Sequence, residues 1–155
     1  LLNNNGFLNY EISNYSKEGF ECIHNLNYWN SGNWLGIGPG AHSRFNFFKQ
    51  RRHIINYTNP QKWLNKALNF EQKKQLDNLE SDYEYLLEKL MMGLRLKNGI
   101  DLKRLSYHQE FQIMKKSFWY KNFLDEGWLS INKGNLFTSF SGKMRLNYIL
   151  DKLIN

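Results

Sequence analysis

A chain of 155 residues, 41% hydrophobic and 16% aromatic, carries enough apolar surface for a packed core, which excludes wholesale disorder. Its formal charge of +7, with basic residues grouped at 49–52 and at Lys115 and Lys116, favours anionic partners such as phosphates, nucleic acid or porphyrin propionates, although a solvated lysine-rich surface accounts for the same balance. The lone Cys22 excludes an intrachain disulfide and any Cys-ligated iron–sulfur or Cys-rich zinc site built by this chain alone, and it fits a reducing cytosol.

Leu1 and Leu2 followed by three asparagines and Gly6 read as a helix end with Gly6 as its left-handed stop, so the chain reads as cut from a longer one. No signal peptide is recognisable there, and no apolar run approaches the ~20 residues of a membrane span. Residues 7–13 alternate as a strand, residues 14–19 are turn-rich, and residues 34–37 predict a strand feeding a glycine loop. Strands separated by crossovers point to parallel α/β architecture. Residues 45–57 read as a strand pair or an ordered loop. Pro60 opens a helix over 60–70. Ser81 and Glu84 have the spacing of a capping box, and Tyr83, Leu86, Leu87, Leu90, Met91 and Leu94 recur at helical spacing, up to a stop at Asn98 and Gly99.

Asp101 caps a short helix, residues 113–126 predict another, and Gly127 stops it. Two short strands, 128–131 and 136–138, follow around a turn. A final helix over 141–153 has Met144, Leu146, Ile149, Leu150 and Leu153 as its buried face. Helix, helix, hairpin, helix is the order of a winged-helix-like module. The polar stretch 71–80 is the predicted domain boundary.

The chemistry gathers in residues 9–45. His24 is flanked by Asn25, Asn27, Tyr28 and Trp29. A neutral imidazole ligates iron or zinc, and the Tyr and Trp planes stack on a flat macrocycle. A hydrogen-bonded histidine in a strand-end loop, with core aromatics beside it, uses the same residues. Gly36, Gly38 and Gly40 permit backbone approaches that side chains block, yet no Lys-Ser/Thr follows for a P-loop and the spacing is not a dinucleotide fingerprint. The duller reading is a tight turn at a strand end, where α/β folds also hold ligands, with His42 facing the same cavity. Glu11 either accepts a ligand hydrogen bond or pairs with a lysine outside this chain.

At Tyr10-Glu-Ile-Ser-Asn14, His24-Asn-Leu-Asn-Tyr-Trp29 and Leu35-Gly-Ile-Gly-Pro-Gly-Ala-His42, the chain resembles the HemW-type haem chaperones. These form a radical S-adenosylmethionine (SAM) family related to oxygen-independent coproporphyrinogen III oxidase, from which the HNxxYW element separates them. Residues 6–45 carry the likeness. Weaker colinear signals are Gly93-Leu-Arg95, Gly99-Ile100, Glu126-Gly127 and Ser141-Gly142, with Phe137-Thr138-Ser139 where the family reads Leu-Thr.

The resemblance implies an α/β fold: the C-terminal part of a partial (β/α) radical SAM barrel over residues 1–70, then a small helical winged-helix-like domain over 71–155. It implies haem binding at HNxxYW, with His24 as the iron ligand, Asn25, Tyr28 and Trp29 around it, and Arg or Lys on the propionates. It also implies a cavity for a second S-adenosylmethionine lined by Gly38, Gly40, Ala41 and His42. Full-length members hold a four-iron four-sulfur cluster on a Cys-x3-Cys-x2-Cys motif that this chain lacks, so it cannot bind that cluster or run radical chemistry alone.

The expected function is that of a C-terminal fragment of a HemW-like chaperone: cytoplasmic, binding haem, delivering it to haem-requiring proteins, and completed by an N-terminal barrel half as a separate chain. Three rivals stand beside it. One is part of a coproporphyrinogen oxidase-like enzyme of porphyrin biosynthesis. Another is a basic winged-helix module reading nucleic acid through Lys115, Lys116 and Lys133. The last is a gene remnant without function, aggregating through an open barrel edge.

Overall fold

Asparagine and glycine punctuate the start of the chain, and Asn3–Asn5 make one 3-10 turn closed by Gly6. The computed structural model describes residues 1–47, 50–71 and 74–154, so Lys49 of the basic run lies outside the described residues. Two units emerge, Leu1–Ser31 with Leu86–Asn155 and Gly32–Tyr85; the division falls within one helix.

In the first unit β1 (Leu8–Asn9) pairs antiparallel with β2 (Tyr15–Ser16). The strand expected over 7–13 is cut short because the Glu11 carboxylate folds back on its own chain. It accepts from the Ser13 backbone N–H and hydroxyl, each at 3.2 Å, and the residue is fully buried. The His24–Trp29 element forms a helix, α1 (Ile23–Trp29), instead of a loop.

The second unit is a meander of β3 (His42–Phe47), β4 (Gln50–Asn56) and β5 (Lys74–Leu79), with α2 (Pro60–Leu68) between the last two strands. Asn59 starts α2 by accepting from the Lys62 N–H at 2.9 Å, with Pro60 in the first turn where its missing N–H costs nothing. Residues 74–79, expected as part of a domain boundary, are instead a paired strand, held by ion pairing of Arg52 with Asp77 at 2.9 Å.

Side-chain alternation along β4 places Arg51 and His53 on one face. Arg51 is buried; its Nε lies 3.2 Å from a Glu80 oxygen and Nη2 donates to the Gly32 carbonyl at 3.2 Å. The rings of Trp34 and Tyr85 flank its guanidinium at 5.7 and 5.2 Å. Burial pulls the Arg51 pKa down, and the Glu80 carboxylate opposes that pull.

α3 (Asp82–Gly93) opens with the predicted capping box. Ser81 Oγ accepts from the Glu84 N–H at 3.2 Å, and the Glu84 carboxylate accepts from the Ser81 N–H at 2.8 Å and hydroxyl at 2.9 Å. Those two hydrogen bonds, the backbone one foremost, hold Glu84 below the usual carboxylate range. Leu86, Leu90 and Leu94 are fully buried, whereas Tyr83 and Met91 of the predicted apolar face are exposed. A stripe spaced by four residues suffices to reach the core.

Beyond α3 the first unit resumes with β6 (Ile100–Asp101), α4 (Leu102–Leu105), α5 (Gln109–Met114) and α6 (Phe118–Asp125). The hairpin β7 (Leu129–Asn132) and β8 (Asn135–Thr138) follows, then α7 (Phe140–Lys143) and α8 (Leu146–Ile154). This is the helix, helix, hairpin, helix order expected.

Two helices predicted as continuous are each broken. Ser117 Oγ takes the Tyr120 N–H at 3.2 Å and starts α6, breaking the first; in the second, Ser139 Oγ takes the Gly142 N–H at 3.1 Å and starts α7, which ends before Met144 and Arg145. Short hydroxyl side chains compete for backbone groups and favour such caps over helix interiors. Met144, expected in the core, lies in the break before α8 and is exposed.

Phe111, Phe123, Leu105, Leu129, Leu136 and Ile149 fill the centre of this unit. Phe123 stacks between Trp119 at 5.7 Å and Trp128 at 5.5 Å, with Tyr148 edge-on to all three. Thr138 Oγ1 donates to the Leu94 carbonyl at 2.8 Å, satisfying a buried hydroxyl.

Every strand pair among the described residues is antiparallel, correcting the parallel arrangement read from the sequence. Lys133 and Gly134 alone separate β7 from β8, and a two-residue link permits only a hairpin. No described helix is long and apolar enough to cross a membrane.

Backbone contact leaves no room at Gly142, where an added Cβ would stand 2.0 Å from the Trp128 carbonyl oxygen. Gly142→Ala is expected to destabilise the chain by about 2–3 kcal/mol in urea unfolding followed by tryptophan fluorescence. Glu80→Gln, which leaves the buried Arg51 charge uncompensated, should cost roughly 3 kcal/mol in the same measurement.

Candidate functional site

α1 starts at Cys22 without a side-chain cap and ends at Asn30, whose N–H and side-chain amide both return to the Leu26 carbonyl at 2.9 and 2.8 Å. A helix places residues four apart on one face. His24 and Tyr28 accordingly meet edge to face, with ring centroids 4.8 Å apart and planes at 79°. His24 is exposed and Tyr28 half-buried.

Leu26 and Trp29, three apart, share a different face. They line a cleft of about 640 Å³ within the first unit, together with Tyr10, Lys89, Lys97 and Arg104. Lys89 is buried and donates to the Asn30 carbonyl at 3.4 Å. The Arg95 guanidinium lies 5.9 Å over the Trp29 ring, and burial lowers its pKa. His24, Asn25 and Tyr28 do not line the cleft. Asn25 instead reaches the Tyr10 hydroxyl at 3.5 Å. Cleft and exposed imidazole thus belong to opposite sides of one short helix. Sequence reasoning singled out Trp29 but not Lys89, Lys97 or Arg104, which no local motif marks.

Gly38, Gly40, Ala41 and His42 lie in the second unit. Residues 34–37 make a single bridge, Trp34 to Arg44, rather than the predicted strand. The loop is tied down by backbone bonds, from Gly40 N–H to the Tyr57 carbonyl at 2.9 Å and from Asn56 N–H to Ala41 at 3.0 Å. The Asn56 side chain also donates to the Gly38 carbonyl at 2.8 Å. Gly36 is needed for space, since a Cβ would meet the His42 carbonyl oxygen at 2.2 Å. Gly38 and Gly40 are needed for positive φ, at 105° and 71°.

His42, at the first position of β3, meets His53 of β4. The rings stack at 29° with His42 Nδ1 3.3 Å from His53 Nε2. Burial, then the nearby Arg44, pushes the His53 pKa down. Among the described residues no three His, Cys, Asp or Glu side chains converge as a metal site. With one cysteine in the sequence, the donor set does not fit a four-iron four-sulfur cluster.

No family model matches the chain. Curated proteins do. The haem chaperone HemW of Buchnera aphidicola subsp. Acyrthosiphon pisum is 34% identical over 155 residues, covering 97% of this chain and 39% of the relative. The chain resembles the C-terminal part of HemW. HemW of Synechocystis is 33% identical over 132 residues, 83% of this chain and 31% of its own length. The bovine mitochondrial radical S-adenosyl methionine domain-containing protein 1 is 30% identical over 169 residues, all of this chain and 37% of the relative.

The chain thus spans less than two-fifths of the length of these relatives. In structure, the radical SAM enzyme coproporphyrinogen III oxidase (HemN) of Escherichia coli superposes on 99% of the chain with a TM-score of 0.65 at 9% identity, over 38% of that enzyme. At that identity the likeness is one of fold: the chain is α/β, with the architecture of the C-terminal part of a radical SAM protein.

Because His24 is exposed and Trp29 packs into the cleft, their substitutions should separate cleanly. His24→Ala is expected to change unfolding free energy by less than about 0.5 kcal/mol. Trp29→Ala should cost about 1–2 kcal/mol, read by urea denaturation.

Proposed function

We propose that this chain is the haem-binding C-terminal part of a HemW-like haem chaperone, taking up haem as cargo through His24 and passing it to haem-requiring proteins. The carrying observation is the alignment of nearly the whole chain with HemW, combined with an exposed His24 imidazole braced by Tyr28. An exposed imidazole offers a ring nitrogen to iron without moving packed atoms, and the edge of Tyr28 limits its rotation. Asn25 belongs to the same end of α1. Trp29 gives the helix its anchor on the cleft side, with Arg95 over that ring, away from the His24 face.

The portion of HemW that this chain does not match is its natural partner in this reading. Leu1, Leu2, Phe7, Leu8 and Ile12 are each exposed, apolar side chains that such a partner would cover. Gly38, Gly40, Ala41 and His42 are assigned to the S-adenosylmethionine cavity of the complete protein, and a cytoplasmic location accompanies the role. The oxidase reading gains nothing from a resemblance confined to fold, and its radical step needs thiolates that one cysteine cannot supply.

Titration of the 155-residue chain with haemin, followed at the Soret band, tests the proposal. Wild type should give a saturable shift, and His24→Ala should bind at least tenfold more weakly. An unchanged titration in the variant would remove His24 from the role, and no shift in wild type would overturn haem binding by this chain.

A further inference from the structure

His42, assigned above to the S-adenosylmethionine cavity, is paired with His53, which the proposed function does not use. His42 and His53 occupy diagonal positions on neighbouring antiparallel strands, on the same face, because His42 registers with Ile55 and Arg44 with His53. Hydrogen bonding between Nδ1 of one ring and Nε2 of the other accounts for their approach only if one nitrogen carries the proton. The 3.3 Å separation is also that of two nitrogens bound to one tetrahedral ion at about 2.0–2.1 Å each. We propose that His42 and His53 form a two-imidazole site for a borderline divalent transition ion of the zinc or copper class.

Glu80 and Glu84 lie within electrostatic reach of His53, but Arg44 acts on it more strongly and Glu80 is shared between Arg44 at 3.4 Å and Arg51 at 3.2 Å, so the ring geometry, not the surrounding charge, carries the site. His42 is exposed, so its ring turns to aim its lone pair without disturbing packed atoms. His53 is carried on the central strand of the meander, a rigid support for the second ligand. No third side chain converges among the described residues, so two positions on the ion stay open to water or to an anionic ligand. Imidazole nitrogens without thiolates or a carboxylate cage favour zinc, copper or nickel over magnesium or calcium.

Isothermal titration of the full chain with Zn2+ tests the site, in a Cys22→Ser, His24→Ala, His108→Ala background that leaves His42 and His53 as the only imidazoles and no thiol. One equivalent should bind, and either His42→Ala or His53→Ala should weaken it at least tenfold. Nitrogen-15 spectra of the imidazoles should show His42 Nδ1 and His53 Nε2 shifting together on zinc addition. Affinity unchanged by His42→Ala overturns the proposal, and because that side chain is exposed the result does not depend on His53→Ala folding. Loss of binding in one variant only would likewise overturn the shared site.

Discussion

A period of 3.6 residues decides what the HNLNYW segment can do. As an extended loop, its imidazole and both rings would be able to surround one ligand. As a helix of seven residues, His24 and Tyr28 share one face while Leu26 and Trp29 share another. The aromatic pair therefore divides its labour: Tyr28 orients the imidazole, and Trp29 roots the helix in the cleft beneath Arg95. A single motif thus supplies both a reactive group at the surface and the packing that holds it still.

The second unit rests on a different constraint, a cation withdrawn from water. Arg51 is enclosed by two rings, a carbonyl and Glu80, and Glu80 also serves Arg44. Burying such a charge costs several kcal/mol unless paired, so the carboxylate just after β5 does more than decorate the sheet. It fixes where β5 ends relative to β4, and β4 carries His53. The histidine pair itself is placed by the register of β3 on β4, with His42 opposite Ile55 and Arg44 opposite His53.

Local chemistry made much of this legible in sequence. Asn59 before Pro60, the Ser81 and Glu84 pair, Asp101 before α4, and the Lys133-Gly134 turn each announce an element through the backbone groups they satisfy. α1 was not legible because Cys22 offers no cap and its asparagines and aromatics are middling helix formers. β5 was hidden by its polarity, being stabilised through Arg52 and Asp77 rather than by apolar alternation. The break at Ser117 was missed because serine in an amphipathic run looks like any polar position until its hydroxyl is seen capping, and the break between α7 and α8 falls at Met144 and Arg145, which carry no local stop signal. The cleft could not be read at all, since its walls come from segments as distant as Leu8 and Asn135.

Cys22 remains, exposed at the residue that opens α1 and the sole thiol in the sequence. A maleimide dye placed there would sit two residues from His24, on a side chain that buries nothing. Porphyrins absorb strongly across the visible range and extinguish nearby emitters, so haem bound at His24 as proposed would darken that dye. Under that proposal, the chain comes with its own attachment point for watching haem bind and leave in real time, one molecule at a time if needed.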